Sequence, residues 1–166
     1  MGRLSRFLKH RLWDERDARR VLPAESLARL ATRIAASEAT HSGQIRICVE
    51  ASLPLRYLHQ QATARQRALT LFGKLGVWDT EHNNGVLIYL LLAEHAIEVV
   101  ADRGLRAQAE AWPPLVASLR SALQAGRFEE GLNEAVEAVG ALLQREFPAA
   151  PGQAGPNELS NEVVVL

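Results

Sequence analysis

A single cysteine, Cys48, stands among the 166 residues. That excludes an internal disulfide and any metal knuckle built from cysteines, and it fits a reducing compartment. Charge of one sign is missing too: nineteen Lys and Arg offset nineteen Asp and Glu. With no net field drawing the chain toward a polyanion, no nucleic-acid partner is expected and any binding must be local. Long apolar runs are also absent. A membrane-crossing helix takes about 20 apolar residues and a secretory leader an apolar core of roughly 7 to 15, and the opening MGRLSRFLKHRLWDERDARR offers neither. A cytoplasmic location, with peripheral membrane contact as a variant, is the expectation. Named catalytic strings are lacking: no G-x-G-x-x-G, no P-loop, no G-x-S-x-G and no H-E-x-x-H. A thiol phosphatase would carry arginine six positions after its cysteine, where this chain has Pro54.

What is present is organised around Trp78 to Gly104. Val86 to Ala93 is an uncharged run too short for a membrane and bounded by Asn-Asn-Gly and Glu-His. Unbroken apolarity means both faces are covered, the condition of an inner strand between helices. Ala96 to Ala101 reads as a second strand returning antiparallel, with Glu94 and His95 as a two-residue turn. Upstream, Gln44 to Glu50 alternates Ile45, Ile47 and Val49 with polar neighbours, which is a strand with one well-buried face. Cys48 falls on its other side, where nothing in the sequence lowers a thiol pKa, so it reads as filler.

Helices fill the intervals. Leu27, Leu30, Ala31 and Ile34 form one stripe after Pro23, and Gly43 is placed to end that helix in a left-handed conformation. Pro54 opens a helix expected to last to about Leu75, which makes strand, helix, strand a parallel βαβ crossover. Gly104 to Ala111 is a short helix or turn; Trp112-Pro113-Pro114 starts a helix ending at Gly126; and the last helix runs from Phe128 to Phe147-Pro148. The fold class is therefore α/β: a mixed sheet, crossover plus hairpin, covered by helices on both faces. At the amino end, Leu4, Phe7, Leu8, Leu12 and Trp13 recur at helical spacing among basic residues. Residues 1–20 then form an element packed on the domain, or a basic amphipathic helix lying on an anionic membrane. Residues 148–166 are rich in proline, glycine and polar residues and read as a flexible, inert tail, although Val163 to Leu166 have the apolar character to join a sheet edge.

A two-residue hairpin turn pairs Ala93 with Ala96 and Leu87 with Asp102, so the loops Asp79 to Gly85 and Asp102 to Arg106 share one end of the sheet. That gathers Asp79, Glu81, His82, Asn83, Asn84, Asp102 and Arg103. Asp79, Asn83, Asn84 and Asp102 are candidate ligands for a hard cation, Ca2+ or Mg2+, while Arg103 and His82 are candidate contacts for a phosphate or other ligand. The same residue types also serve simple turns. The opposite, carboxyl end, where open α/β sheets usually bind ligands, offers Glu50, Ser52, Glu94 and His95 and is the poorer in convergent polar groups.

Taken together, these strings resemble the TPM domain family, which joins a plant thylakoid-lumen protein, a photosystem II repair protein, an animal receptor-auxiliary protein and many bacterial relatives. The resemblance spans Val21 to Phe147. It rests on a helix ending before HSGQIRICVE, on Asn83-Asn84-Gly85-Val86-Leu87, on VVADRGL and on GRFEEGL ahead of the last helix. It implies a mixed sheet between helices, divalent-cation binding, acid phosphatase activity in some members and service as auxiliary factors for membrane complexes. Asn83 stands where the family has aspartate, removing one charge from the loop, and relatives are commonly exported or membrane-tethered. With residues 21–147 as a TPM-like domain, two functions are expected. One is a non-catalytic interaction module with a protein partner, near a membrane complex; the alternative is a metal-dependent hydrolase of phosphate esters.

Overall fold

The computed structural model of the chain describes residues 3–150 and 157–166. Four strands form one mixed sheet: β1 (Gln44–Glu50), β2 (Gly85–Leu91), β3 (Ala96–Ala101) and β4 (Val164–Val165), in the order β3-β2-β1-β4. β1 and β2 run parallel from Gln44 opposite Gly85 to Glu50 opposite Leu91, and β3 returns antiparallel along β2. Side-chain alternation along the pleat divides the apolar residues into two cores. Ile45, Ile47, Val49, Val86, Ile88, Leu90, Ile97 and Val99 point to one face. There they meet α2 (Glu15–Val21), α3 (Ala24–Glu38), α6 (Trp112–Gln124) and α7 (Phe128–Glu146). Cys48, Leu87, Tyr89, Leu91 and Val100 point to the other, against α4 (Leu55–His59) and α5 (Ala64–Lys74). β2 is buried along its whole length, as its uncharged sequence requires.

Before these elements, α1 (Arg3–Arg11) packs through Phe7, whose ring meets His59 edge-on at 5.1 Å, and through the buried His10. Trp13 lies on the α6–α7 side of the sheet, half-buried. No helix among the described residues is long and apolar enough to cross a membrane.

Four expectations are corrected. The Pro54 to Leu75 helix is two helices. α4 stops at His59, Gln61 takes a φ of 54°, and the Ala62 N–H bonds to Tyr57 O at 2.9 Å. Thr63 then caps α5, its hydroxyl accepting from the Gln66 N–H while the Gln66 side chain accepts from the Thr63 N–H. Thr63-Ala64-Arg65-Gln66 is a capping-box string, and two reciprocal bonds start a new helix where the apolar stripe alone suggested continuation.

The hairpin register is displaced by two residues. Leu91, not Ala93, faces Ala96, and Leu87 faces Val100. A two-residue turn of the favoured type needs positive φ at both central residues, which Glu94 resists. Instead Leu92–Glu94 form a 3-10 turn and His95 alone is left-handed, at φ 51°. The Ala93 N–H donates to Ala51 O at 3.0 Å, which fixes the longer connection to the end of β1.

Gly43 does not end α3 in a left-handed conformation; α3 ends at Glu38 and Ala39 is right-handed. Position 43 is instead a close packing point, since a Cβ there would lie 2.5 Å from a methyl of the buried Leu143 and would require that side chain to shift. Finally, the end of the tail is not inert. Val164 and Val165 pair parallel with Cys48 and Val49, and Leu166 exchanges bonds with Val49 O (3.0 Å) and the Ala51 N–H (2.8 Å). Residues 151–156 of the expected tail lie outside the described residues.

Candidate functional site

At the amino ends of β1 and β2, the loop residues expected to gather do so in part. Arg103 Nε donates to Asn83 Oδ1 at 2.8 Å, and the Arg103 N–H donates to Asp102 Oδ1 at 2.6 Å. Asn83 is left-handed at φ 53°, and its carbonyl accepts the Gly104 N–H at 2.9 Å. A Cβ on residue 104 would come 2.5 Å from that carbonyl, so the two loops touch backbone to backbone because position 104 is glycine. The two-residue change in hairpin register leaves this contact possible: the Asp102 N–H now bonds to Gly85 O at 2.9 Å.

Asn84 behaves differently from its neighbour. It is fully buried, its N–H donates to Thr80 Oγ1 and its amide nitrogen donates to Ser42 Oγ at 3.2 Å. Its Oδ1 is buried with no hydrogen-bond partner among the described residues. Asp79 and His82 are exposed, the latter 3.9 Å from Glu81. A carboxylate the sequence reading missed also reaches this loop, Glu158 of the tail, accepting from the Glu81 N–H at 3.0 Å.

These residues fit a divalent cation unevenly. Asn84 Oδ1 is a buried oxygen in want of a positive partner, which suits a hard cation. Asn83 Oδ1 is already taken by a guanidinium, which holds a positive charge where the cation would sit. Among the described residues no group of three or more His, Cys, Asp or Glu gathers at metal-holding distance.

The carboxyl end of the parallel strands, read from sequence as the poorer one, holds the densest buried polar network. Glu50 is 2% exposed. Its carboxylate accepts from Arg67 Nη2 at 2.6 Å, from Arg67 Nε at 2.9 Å and from the Tyr89 hydroxyl at 2.6 Å. The Arg67 guanidinium also lies over the Tyr57 ring, 4.7 Å from its centre. Burial would lower the Arg67 pKa, but the bonds and charge of Glu50 hold it above its ordinary value. Burial first, then the Glu50 charge, raise the Tyr89 phenol. Each charge is met by donors or acceptors, so this carboxylate is not a free base. Burial, reinforced by Glu50, likewise pushes the Cys48 thiol up to about 12, which leaves it protonated and inert at neutral pH. Arg67 had a sequence signal: it falls on the stripe of Ala64, Ala68 and Leu71, all buried, where an arginine needs a buried acid.

Above this network, α1 and α4 frame a cavity of about 630 Å³ lined by Leu4, Phe7, Leu8, Leu53, Leu55 and Leu58, with Arg11 and Leu166 also on its wall. α1 is fixed beside it by Glu94, which accepts from Arg6 Nε (2.6 Å) and meets His10 Nε2 at 2.8 Å. His10 Nδ1 accepts the Leu53 N–H, so Nε2 carries the proton toward Glu94. With Phe7 and His10 turned inward, Leu4, Leu8 and Leu12 are left 76%, 57% and 81% exposed, beside Leu55 at 67%.

Among known proteins, residues 16–142 match the family model described as TPM domain. A solved structure with the same fold is the NMR structure of BA42 protein from the psychrophilic bacterium Bizionia argentinensis. It is 25% identical, its match covers 86% of this chain and 94% of that one, and the TM-score is 0.74. No curated protein matches the chain.

Proposed function

The chain belongs to the TPM domain family, and from that premise we propose that it is a non-catalytic interaction module, an auxiliary factor that docks on a partner protein through the α1–α4 groove. The observation that carries this reading is Leu4 and Leu8 of α1, exposed together with Leu55 around an apolar cavity, with Leu12 exposed just past the end of the helix. Three leucines held out to water around one cavity are costly unless something covers them. α1 has no acidic residue in its first turn and carries Lys9, His10 and Arg11 in its last. The partner that fits is an amphipathic helix whose apolar stripe enters the groove and whose flanks are acidic. The chemistry at the groove's floor agrees with a binding role, because Glu50 and Arg67 are committed to each other.

The test is a paired substitution. Leu8→Asp with Leu55→Asp should leave folding stability within about 0.5 kcal/mol, since both are surface positions, and should weaken binding to the protein captured from native lysate, identified and then purified, at least tenfold. Leu69→Asp, an equally apolar change at a residue 49% exposed on α5, should leave binding unchanged. Equal loss from all three substitutions would sink the proposal. Flotation of the chain with anionic vesicles, abolished by the same pair and by salt, would replace the protein partner with a membrane surface.

The alternative, a cation-assisted phosphatase at the loop end, has one observation in its favour, the partnerless Asn84 oxygen. Asn84, with Asp79 and Asp102, would then hold Ca2+ or Mg2+, which supplies Lewis-acid polarisation of a phosphoryl oxygen when bound. The position of Arg103 on Asn83 weighs against it. Calorimetric titration decides: a saturable calcium or magnesium heat that disappears in Asn84→Ala and Asp102→Ala supports a cation site, and a flat titration removes it.

A further inference from the structure

The outer edge of β1 is covered by residues 157–166, and the way it holds them is unusual in what it reads. Gln44 Oε1, on a residue 1% exposed, accepts the backbone N–H groups of Glu158 (3.1 Å) and Leu159 (3.0 Å). Arg46 Nη1 donates to the backbone carbonyls of Ser160 and Glu162. Beyond them come the ladder bonds of Leu166 with Val49 O and the Ala51 N–H. These contacts go to main chain, so β1 recognises an extended backbone before it recognises a sequence. Side-chain selection enters through Leu159 and Val164 on one face of the sheet and Val163 and Val165 on the other. The resident segment does not exhaust the donors: Arg46 Nε is buried without an acceptor among the described residues.

We infer that this edge is a strand-acceptor site, occupied in cis by the chain's own tail, and that it takes in trans an extended segment of a partner protein. The chemistry it fits is a run of consecutive β-branched apolar residues, entering parallel to β1, preceded by a short polar stretch with one leucine-sized side chain. A sheet edge gives affinity through main-chain bonds and specificity through alternate side chains, the logic of strand addition. The tail is then a competitor that keeps a long unpaired edge from nonspecific pairing. This goes beyond the groove proposed above and has its own readout, so either can fail alone.

The experiment uses the full chain and a labelled peptide, NELSNEVVVL, copying residues 157–166. In wild type the resident tail should compete with it, leaving uptake slow and at least tenfold weaker than at a freed edge. Val164→Pro removes a backbone donor on the same side of β4 as that of Leu166, which bonds to β1, and should free the edge. Peptide binding by fluorescence anisotropy is expected at least tenfold tighter to V164P than to wild type, and lost again when Arg46→Ala is added. Absence of peptide binding by a folded V164P chain overturns the inference, as does binding unaffected by R46A. If V164P fails to fold, amide exchange in wild type decides: the Ala51 N–H should exchange no faster with excess peptide present if strands trade places, and the labelled peptide should slowly become incorporated. No incorporation overturns the inference. Concentration-dependent dimers of wild type that dissociate in V164P, with no peptide uptake by the variant, would likewise overturn it in favour of exchange between copies.

Discussion

Replacing Arg67 with methionine should cost the fold about 3 to 5 kcal/mol, the largest loss expected from any single change of similar volume. The reason lies in what is left behind. Glu50 sits at the end of β1 with 2% of its side chain exposed and Arg67 with 7%, and the guanidinium supplies the donors that balance the carboxylate. Without it, the carboxylate keeps the Tyr89 hydroxyl and little else, and an uncompensated buried charge is far worse than no charge. Domains of this size are stable by only about 5 to 15 kcal/mol, so R67M should show a large fall in urea midpoint. Glu50→Gln in the same chain should return most of the loss, because a neutral amide still accepts from Tyr89 without demanding a cation. A cost below about 1 kcal/mol for R67M, or no recovery in the double variant, would mean that the pair is incidental to stability.

Arg67 also shows where sequence reasoning stopped short. Periodicity reported faithfully on elements whose burial is set locally. The alternation of Gln44–Glu50 gave β1 its span, the uncharged run gave β2 apart from Leu92 and Ala93, which belong to the turn, and the stripe of α3 gave its face. What it could not weigh were contacts arriving from far along the chain. The hairpin connection is held by Arg6 and His10, separated from Glu94 by 88 and 84 positions, and no window around the turn contains them. The tail pairs with β1 through residues more than a hundred positions away. The Thr63 capping box was written in the sequence, but an apolar stripe running past it drew the helix as continuous.

For the loop end, the hairpin brought Asn83, Asp102 and Arg103 together because any antiparallel return places the entry of β2 beside the exit of β3. That Asn84 turns inward while Asn83 turns out follows from Thr80 and Ser42, which bond to it from two other segments. At the other end, Glu50 was visible as a polar residue closing a strand, yet its partner lies on a helix whose inward face was read from apolar residues alone, so Arg67 was not counted on it.

Glu38 carries the second large effect, and it appears as a dependence on pH. Its carboxyl sits at the end of α3, 6% exposed, with Oε1 accepting the Ile45 N–H at 2.7 Å. In the orientation that satisfies its own neighbours, the Asn161 amide donates to Oε2 at 2.8 Å. Burial lifts the Glu38 pKa from 4.5 to about 7, against the opposing pull of the Ile45 bond and the Arg46 charge. A group whose folded pKa is raised binds its proton more tightly folded than unfolded. Its contribution is therefore complete below pH 4.5 and is lost as pH rises through 7, an amount on the order of 3 kcal/mol. Other carboxylates act in the opposite sense. Burial would raise Glu94, but Arg6 and His10 more than reverse that, and Arg29 first among causes brings Glu129 down to about 2; both favour the fold at higher pH. The difference between wild type and Glu38→Gln isolates the one group. Glutamine keeps the acceptor for Ile45, and Asn161 can turn its oxygen toward the new amide. Measured by urea unfolding, E38Q should lose less stability than wild type between pH 5 and pH 8 by about 3 kcal/mol, and the two curves should run together only below pH 4.5. Parallel curves across the whole range would show that the buried carboxyl is charged at no cost, and that water or the tail solvates it better than its burial implies.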